Sequence, residues 1–388
     1  MFFSKPGEYK ACGLFSLQHI GLILATFVCV AIALKKTVHK SKEEVYKIIR
    51  NLTIVIWALE IFKILYIVMY LKLTDVKEWL PLYYCSLLLY AGFLSSFTKG
   101  PFKRAGDVFL ATGSIVGGVV FILFPTTSLP TFPAFHFISI HSFFFHGTMV
   151  YLTLLVNKTH YVEINKADIV YFASLVGVVC ILALMVNMEF HSNLMFISEN
   201  FPNTPIELFY NLTGKWFTPL MILIQMFIPF YFVYGIIKRK EKKEERLAKD
   251  AVMGEEAFNN AMQAITNRSF VLEANSVQPL NGRVYYVNSN TNFVSLNDGQ
   301  AMVQIASNSP YPGPNGLGGI TVQGSASNVQ VKQENNGNVY LSMSVQGIFI
   351  SATVNLVLYS GTNNAMVTVD PNFSGNNLTM NGTLLPYS

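Results

Sequence analysis

The sequence predicts a polytopic all-α membrane bundle of seven transmembrane helices, followed by a linker helix and an all-β sandwich or small barrel. Composition is the first reason. Of 388 residues, 13% are charged and 52% hydrophobic, whereas about a quarter of a typical soluble protein is charged, so a wholly soluble chain is excluded. The second reason is a break near residue 240. Lys and Arg number 20 before residue 241 and 7 after it, and Asp and Glu 12 and 10, so the two parts carry 20 − 12 = +8 and 7 − 10 = −3. The third is patterning: apolar runs of membrane length precede the break, and short alternating runs follow it. The expected domains are 1–238 (transmembrane), 239–267 (charged and amphipathic linker helix) and 268–388 (all-β).

Crossing the hydrocarbon takes about 20 mostly apolar residues, and seven windows meet that length: 14–34, 51–71, 79–98, 106–125, 135–156, 168–188 and 217–237. The first runs into Lys35 and Lys36 without a small-residue cleavage site, so it reads as a retained span and not a secretory signal. Basic residues gather in alternate loops: Lys35, Lys36, Lys40, Lys42, Lys47 and Arg50; Lys99, Lys103 and Arg104; Lys158 and Lys166; then Lys238, Arg239 and Lys240. Cations accumulate on the cytoplasmic side. With seven spans all four groups share that side, which puts the protein in the cell membrane with its N-terminus outside and its C-terminal domain in the cytoplasm.

Polar and ionisable groups inside spans are costly and usually face a bundle interior. His19 lies in the first window, Glu60 and Lys63 in the second, His136, His141 and His146 in or near the fifth, and Gln225 in the seventh. Glu60 and Lys63 are three apart, within pairing reach on one helix face. His141 and His146 are five apart, about 140° around a helix, so one is expected to face a cavity and the other a neighbouring helix. Cys85 opens the third window within Leu80-Pro81-Leu82-Tyr83-Tyr84-Cys85-Ser86. A thiol becomes a strong nucleophile beside a base that favours the thiolate, and otherwise packs as a small hydrophobe; both readings stay open for Cys85. Cys29 and Cys180 have no polar company in sequence and are assigned to packing. No cysteine spacing suits a metal site or a disulfide framework, and no metal or cofactor is expected.

These residues form a pattern. Phe15-Ser16-x-x-His19, Glu60, Leu80-Pro81-Leu82-x-x-Cys85-Ser86, His141-Ser142-x-x-x-His146-Gly147 and Asn193-Leu194-Met195-Phe196 together resemble the YwaF-like bacterial integral membrane family, related to the eukaryotic transmembrane protein 164 group. The resemblance covers about residues 1–238. It implies a phospholipid acyltransferase with a catalytic cysteine, here Cys85, and a base from His141 or His146. His19, Glu60, Lys63, Tyr83 and Asn193 complete the expected substrate pocket, with Tyr83 or Asn193 stabilising an oxyanion. Many relatives carry His at the position of Tyr83, which puts in doubt any role that needs a histidine there. The expected partners are membrane lipids, with a lysophospholipid and an acyl donor as reactants. The alternative from another class is a transporter or small-molecule binding protein that uses the same polar pocket without covalent chemistry.

The linker alternates Leu247, Ala251, Phe258, Ala261, Met262 and Ile265 near helical spacing. Beyond it, β-prone runs begin at 270, 283, 301, 339, 352 and 365, separated by Asn-Gly, Asp-Gly and similar turns. The Pro- and Gly-rich stretch 310–319 lacks the Lys-Ser/Thr ending of a phosphate loop and reads as a plain loop. Nothing in the tail forms a catalytic triad or a basic nucleic-acid patch, so no nucleic acid is expected. Residues 241–388, with Phe270-Val271-Leu272-Glu273-Ala274, Asn292-Phe293-Val294-Ser295 and Gly316-Leu317-Gly318-Gly319-Ile320-Thr321-Val322, resemble a family of small domains of unknown function found in secreted or lipid-anchored bacterial proteins. Such domains carry export signals, whereas this one is expected in the cytoplasm. That mismatch suggests that two unrelated proteins were joined near Lys240, with a natural fusion as the alternative.

Overall fold

The computed structural model describes residues 1–202, 204–280, 282–306, 320–347, 351–372 and 377–387. It divides into two compact units, Met1–Lys240 and Glu241–Ser388.

The first unit is helical. Ser16 caps α1 (Leu17–Thr37) by accepting the His19 amide, and Ser41 and Glu44 form a capping box on α2 (Lys42–Leu65). A π-helical turn, Tyr66–Leu71, continues α2. There follow α3 (Val76–Trp79), α4 (Leu87–Phe97), α5 (Gly100–Ala111), α6 (Gly113–Leu123), α7 (Phe137–Lys158), α8 (Ile169–Phe190), α9 (Pro205–Thr213) and α10 (Phe217–Thr266). Among the described residues six helical stretches are long and apolar enough to cross a membrane. The window 79–98 differs from expectation. Leu80, just before Pro81, is extended at ψ 120°, as a residue preceding proline tends to be. Helix therefore resumes only at Leu87, leaving 11 residues in α4, about 16 Å at 1.5 Å per residue. The count of seven holds only with this short helix included. The window 106–125 is likewise interrupted at Thr112 (φ −127°, ψ −82°), and that of 217–237 runs without a break into the expected linker.

Glycines bring α6 onto α7. A Cβ on Gly118 would lie 2.8 Å from the His146 carbonyl oxygen, and one on Gly117 would lie 2.9 Å from the Met149 side chain. On the loop side, Arg104 of α5 binds the Asp168 carboxylate and donates to the Glu163 carbonyl oxygen at 2.7 Å. Its neighbour Lys103 reaches Asp107 and the Tyr161 hydroxyl, both at 3.0 Å.

The second unit is an antiparallel barrel, one of the two β architectures expected. Its strands are β1 (Phe270–Pro279), β2 (Tyr285–Tyr286), β3 (Phe293–Asn297), β4 (Gln300–Ile305), β5 (Ile320–Gln333), β6 (Val339–Gln346), β7 (Ser351–Leu358), β8 (Asn364–Pro371) and β9 (Leu378–Pro386). Pairing runs β1-β3-β4-β5-β6-β7-β8-β9, and β9 returns to β1, so eight strands close; β2 adds to β1 beside β3. Residues with period two fill the interior, such as Leu341, Met343 and Val345 or Val354, Leu356 and Leu358. Phe258, Ala261 and Ile265 of α10 are buried in the same core. The stretch 310–319 lies outside the described residues.

Candidate functional site

Cys85 sits on the irregular segment that replaces the start of the third window. The Ser86 amide donates to the Tyr83 carbonyl at 2.9 Å and the Leu88 amide to that of Cys85 at 3.0 Å, so short turns lead into α4. Non-helical backbone at membrane depth is tolerated where protein buries it or it borders a cavity. Here Tyr83, Tyr84 and Cys85 line a largely apolar cavity of about 290 Å³ with Phe121, His146 and Gln225. Cys85 is half-buried and directly precedes Ser86, the N-cap of α4, where the helix dipole favours negative charge. Among the described residues the amides of Tyr84 and Cys85 have no backbone acceptor.

His146 is fixed from both faces. Its ring stacks on Phe121, centroids 3.6 Å apart and planes within 8°, on the α6 turn that Gly118 brings close. Its Nδ1 lies 2.7 Å from the Ser142 carbonyl oxygen. A carbonyl accepts only, so Nδ1 carries the proton and Nε2 is left as a lone pair. That Nε2 is buried without a hydrogen-bond partner. Gln225 of α10 offers a second free acceptor into the same cavity: its Nε2 donates to the Met195 carbonyl at 2.9 Å, while its Oε1 is buried and unpaired. Pro229, four residues on and also on the cavity wall, lacks the N–H that would bond the Gln225 backbone carbonyl. Met195 and Phe196 complete this wall in left-handed backbone, at φ 59° and 53°.

The other expected pocket residues divide between this cavity and its surroundings. His141 leaves α7 in a different direction from His146, as the spacing requires, and its Nε2 faces Glu60 Oε2 at 3.5 Å. Glu60 Oε1 accepts from Lys63 at 2.6 Å. These three form a largely buried polar cluster that does not line the cavity. His19 is fully buried; its Nδ1 accepts from the Phe15 amide at 2.9 Å and its Nε2 donates to the Ile122 carbonyl at 3.0 Å, which fastens α1 to α6. Tyr83 lines the cavity, with its hydroxyl donating to the Lys77 carbonyl at 3.2 Å. Beyond the spans, the Lys77 ammonium holds the neighbouring Asp75 carboxyl below the usual carboxylate range. Asn193 closes its own loop, Oδ1 accepting from the amides of Ser198 and Glu199 and Nδ2 donating to the Glu199 carbonyl. Both ends of its amide are therefore occupied by that loop. Among the described residues no hydrogen bond joins Cys85 Sγ to either histidine.

Sequence reasoning places Gln225 among the polar span residues but not in the substrate pocket, and attaches no role to Asn187. Asn187 ties the end of α8 to the 192–198 loop, donating to Leu194 O and Ser198 Oγ and accepting from Leu194 N and Ser192 Oγ. For Gln225 the readable signal is the proline four residues later, which marks an interrupted ladder beside a polar side chain.

Comparison with known proteins bears on both units. The profile of the domain of unknown function DUF4251 matches residues 253–384. The crystal structure of a DUF4251 family protein from Bacteroides eggerthii DSM 20697, at 1.95 Å resolution, shares 46% identity over 35% of this chain and 91% of its own, with a TM-score of 0.32. No curated protein matches the chain. The TMEM164 family profile matches residues 14–247, nearly the whole helical unit with its Cys85 and His146 cavity, and the chain belongs to the TMEM164 family.

Proposed function

We propose that the helical unit is a thiol-dependent acyltransferase or acyl hydrolase acting on phospholipid acyl groups. The observation that carries this reading is that Cys85 and His146 line one cavity whose walls are otherwise mostly apolar. His146 Nε2, with its lone pair free, takes the Sγ proton, directly or through one water. The thiolate attacks an ester carbonyl, and the amides of Tyr84 and Cys85 receive the developing oxyanion. Collapse breaks the ester C–O bond; the leaving alkoxide takes the proton from His146 and departs as a lysophospholipid alcohol. The acyl group remains as a thioester on Cys85. A second lysophospholipid hydroxyl then gives its proton to His146 and attacks the thioester, and the thiolate leaves and is reprotonated. Water in that place gives hydrolysis. The apolar walls suit an acyl chain, and the Gln225 Oε1 acceptor suits an attacking hydroxyl.

The transport reading has less support, because Glu60, Lys63 and His141 engage one another away from the cavity. The bundle sits in the cell membrane with its N-terminus outside and the C-terminal domain cytoplasmic. The basic loops carry that orientation, with residues 80–97 crossing as an irregular stretch plus α4. The β domain serves as a binding or scaffolding module.

Liposomes holding the full-length protein, a lysophospholipid and a phospholipid with one deuterated acyl chain test the chemistry. Mass spectrometry is expected to find label on the lysophospholipid acceptor. Cys85→Ser and His146→Gln are each expected to lower the rate by about 100-fold or more. Undiminished exchange in Cys85→Ser overturns the thiol mechanism.

A further inference from the structure

A second, larger recess lies on another face of α7. Between α1, α2 and α7 an apolar groove of about 590 Å³ is walled by residues including Leu22, Ala33, Ile48, Val55, Ile140 and Tyr151. None of its residues lines the Cys85 cavity. Gly147 sets the approach of α1 to α7, since a Cβ there would lie 2.8 Å from the Thr26 side chain.

Two features identify an occupant. The first is length: from Leu22 to Ala33 the groove follows α1 for 12 residues, about 16 Å, which is about half of the ~30 Å hydrocarbon thickness and so one leaflet. The second is charge, confined to one end. Beyond Ala33 the same face of α1 continues to Lys36, and beyond Tyr151 the same face of α7 continues to Lys158. The Tyr151 hydroxyl donates to Thr37 Oγ1 at 3.1 Å, which fixes the end of α1 beside α7 two turns before Lys158. Lys36 and Lys158 are both exposed, and no ion pair engages either among the described residues. At the start of α2, Glu43 pairs with Lys47 and Glu44 with Lys40, while Glu163 lies in the loop five residues beyond Lys158. At the other end the wall is Leu22, Ile140 and Phe144, without a charge.

We propose that this groove seats one phospholipid with an anionic headgroup, an acyl chain lying along α1 and α7 and the phosphate against Lys36 and Lys158. The site is separate from the Cys85 chemistry and stands whether or not that chemistry is correct.

Native mass spectrometry of the full-length protein in detergent, titrated with phosphatidylglycerol or phosphatidylcholine, tests it. One phosphatidylglycerol is expected to be retained in preference to phosphatidylcholine. Each lysine near a headgroup contributes about 1 kcal/mol, so the double variant Lys36→Gln with Lys158→Gln is expected to weaken retention about thirtyfold. Cys29→Trp fills the groove at an exposed wall position and is expected to abolish retention of that lipid with the lysines intact. Equal retention of the two lipids, or unchanged retention in either variant, overturns the proposal.

Discussion

At position 146 one hydrogen bond decides which ring nitrogen is available for chemistry. The Ser142 carbonyl holds the proton on Nδ1, and the Phe121 stack holds the plane. Gly118→Val would push α6 off the His146 backbone without touching a reacting group. Overpacking of this kind costs about 1–3 kcal/mol, so a moderate loss of thermal stability is expected with a disproportionate fall in acyl exchange; exchange unchanged beside a lowered Tm would remove Gly118 from the site's supports. Gln225→Leu is nearly isosteric and removes the acceptor. It is expected to slow transfer to a hydroxyl acceptor more than formation of the thioester, which single-turnover trapping with hydroxylamine resolves. The histidine pair was legible from a spacing of five. The fate of Asn193 was not, because its partners come from a loop whose closure no periodicity reports.

At the scale of elements, the barrel shows where sequence signals mislead. Asn381-Gly382, a dipeptide common in turns, lies inside β9. Gly382 faces Ala274, where a Cβ would stand 1.9 Å from the Glu273 carbonyl oxygen, beside the irregularity in the β1–β9 register. The glycine serves closure, not reversal. Gly382→Ala is expected to destabilise the barrel by about 3 kcal/mol, measured as a lowered midpoint for loss of β circular dichroism. β5 was legible only at its start, Ile320-Thr321-Val322, because the rest of Ile320–Gln333 is rich in Ser, Asn and Gln, and Asn328 turns left-handed at φ 54° where its register with β6 shifts. In the helical unit, Arg104→Gln removes a charged partner from the mostly buried Asp168. A loss of about 2 kcal/mol is expected, seen as earlier thermal aggregation in detergent; an unchanged midpoint would mean that the pair is not structural.

Across the whole molecule the composition break and the boundary of the compact units coincide near Lys240, and the two family matches meet close by, ending at 247 and beginning at 253. Opposite net charges and a change from long apolar runs to short alternating ones were enough to find that boundary, because membrane and water select residues differently. The length of α4 was not legible, since an apolar run does not show whether a proline will interrupt it. Residues 241–388 contain a complete core drawn from α10 and the strands. Expressed alone, that fragment is expected to fold cooperatively with β circular dichroism; an unstructured fragment would make the barrel dependent on the helical unit.

Closure of the β1–β9 seam has a consequence for the company this domain keeps. A sheet with an open edge can recruit another chain by lending it backbone hydrogen bonds, which serves peptide capture but also seeds aggregation. In the ring every strand has a neighbour on each side, and β2, the short addition to β1, is two residues long. Whatever docks on the barrel must therefore read side chains on its outer wall and at its loops, and newly made copies have little exposed edge through which to join one another.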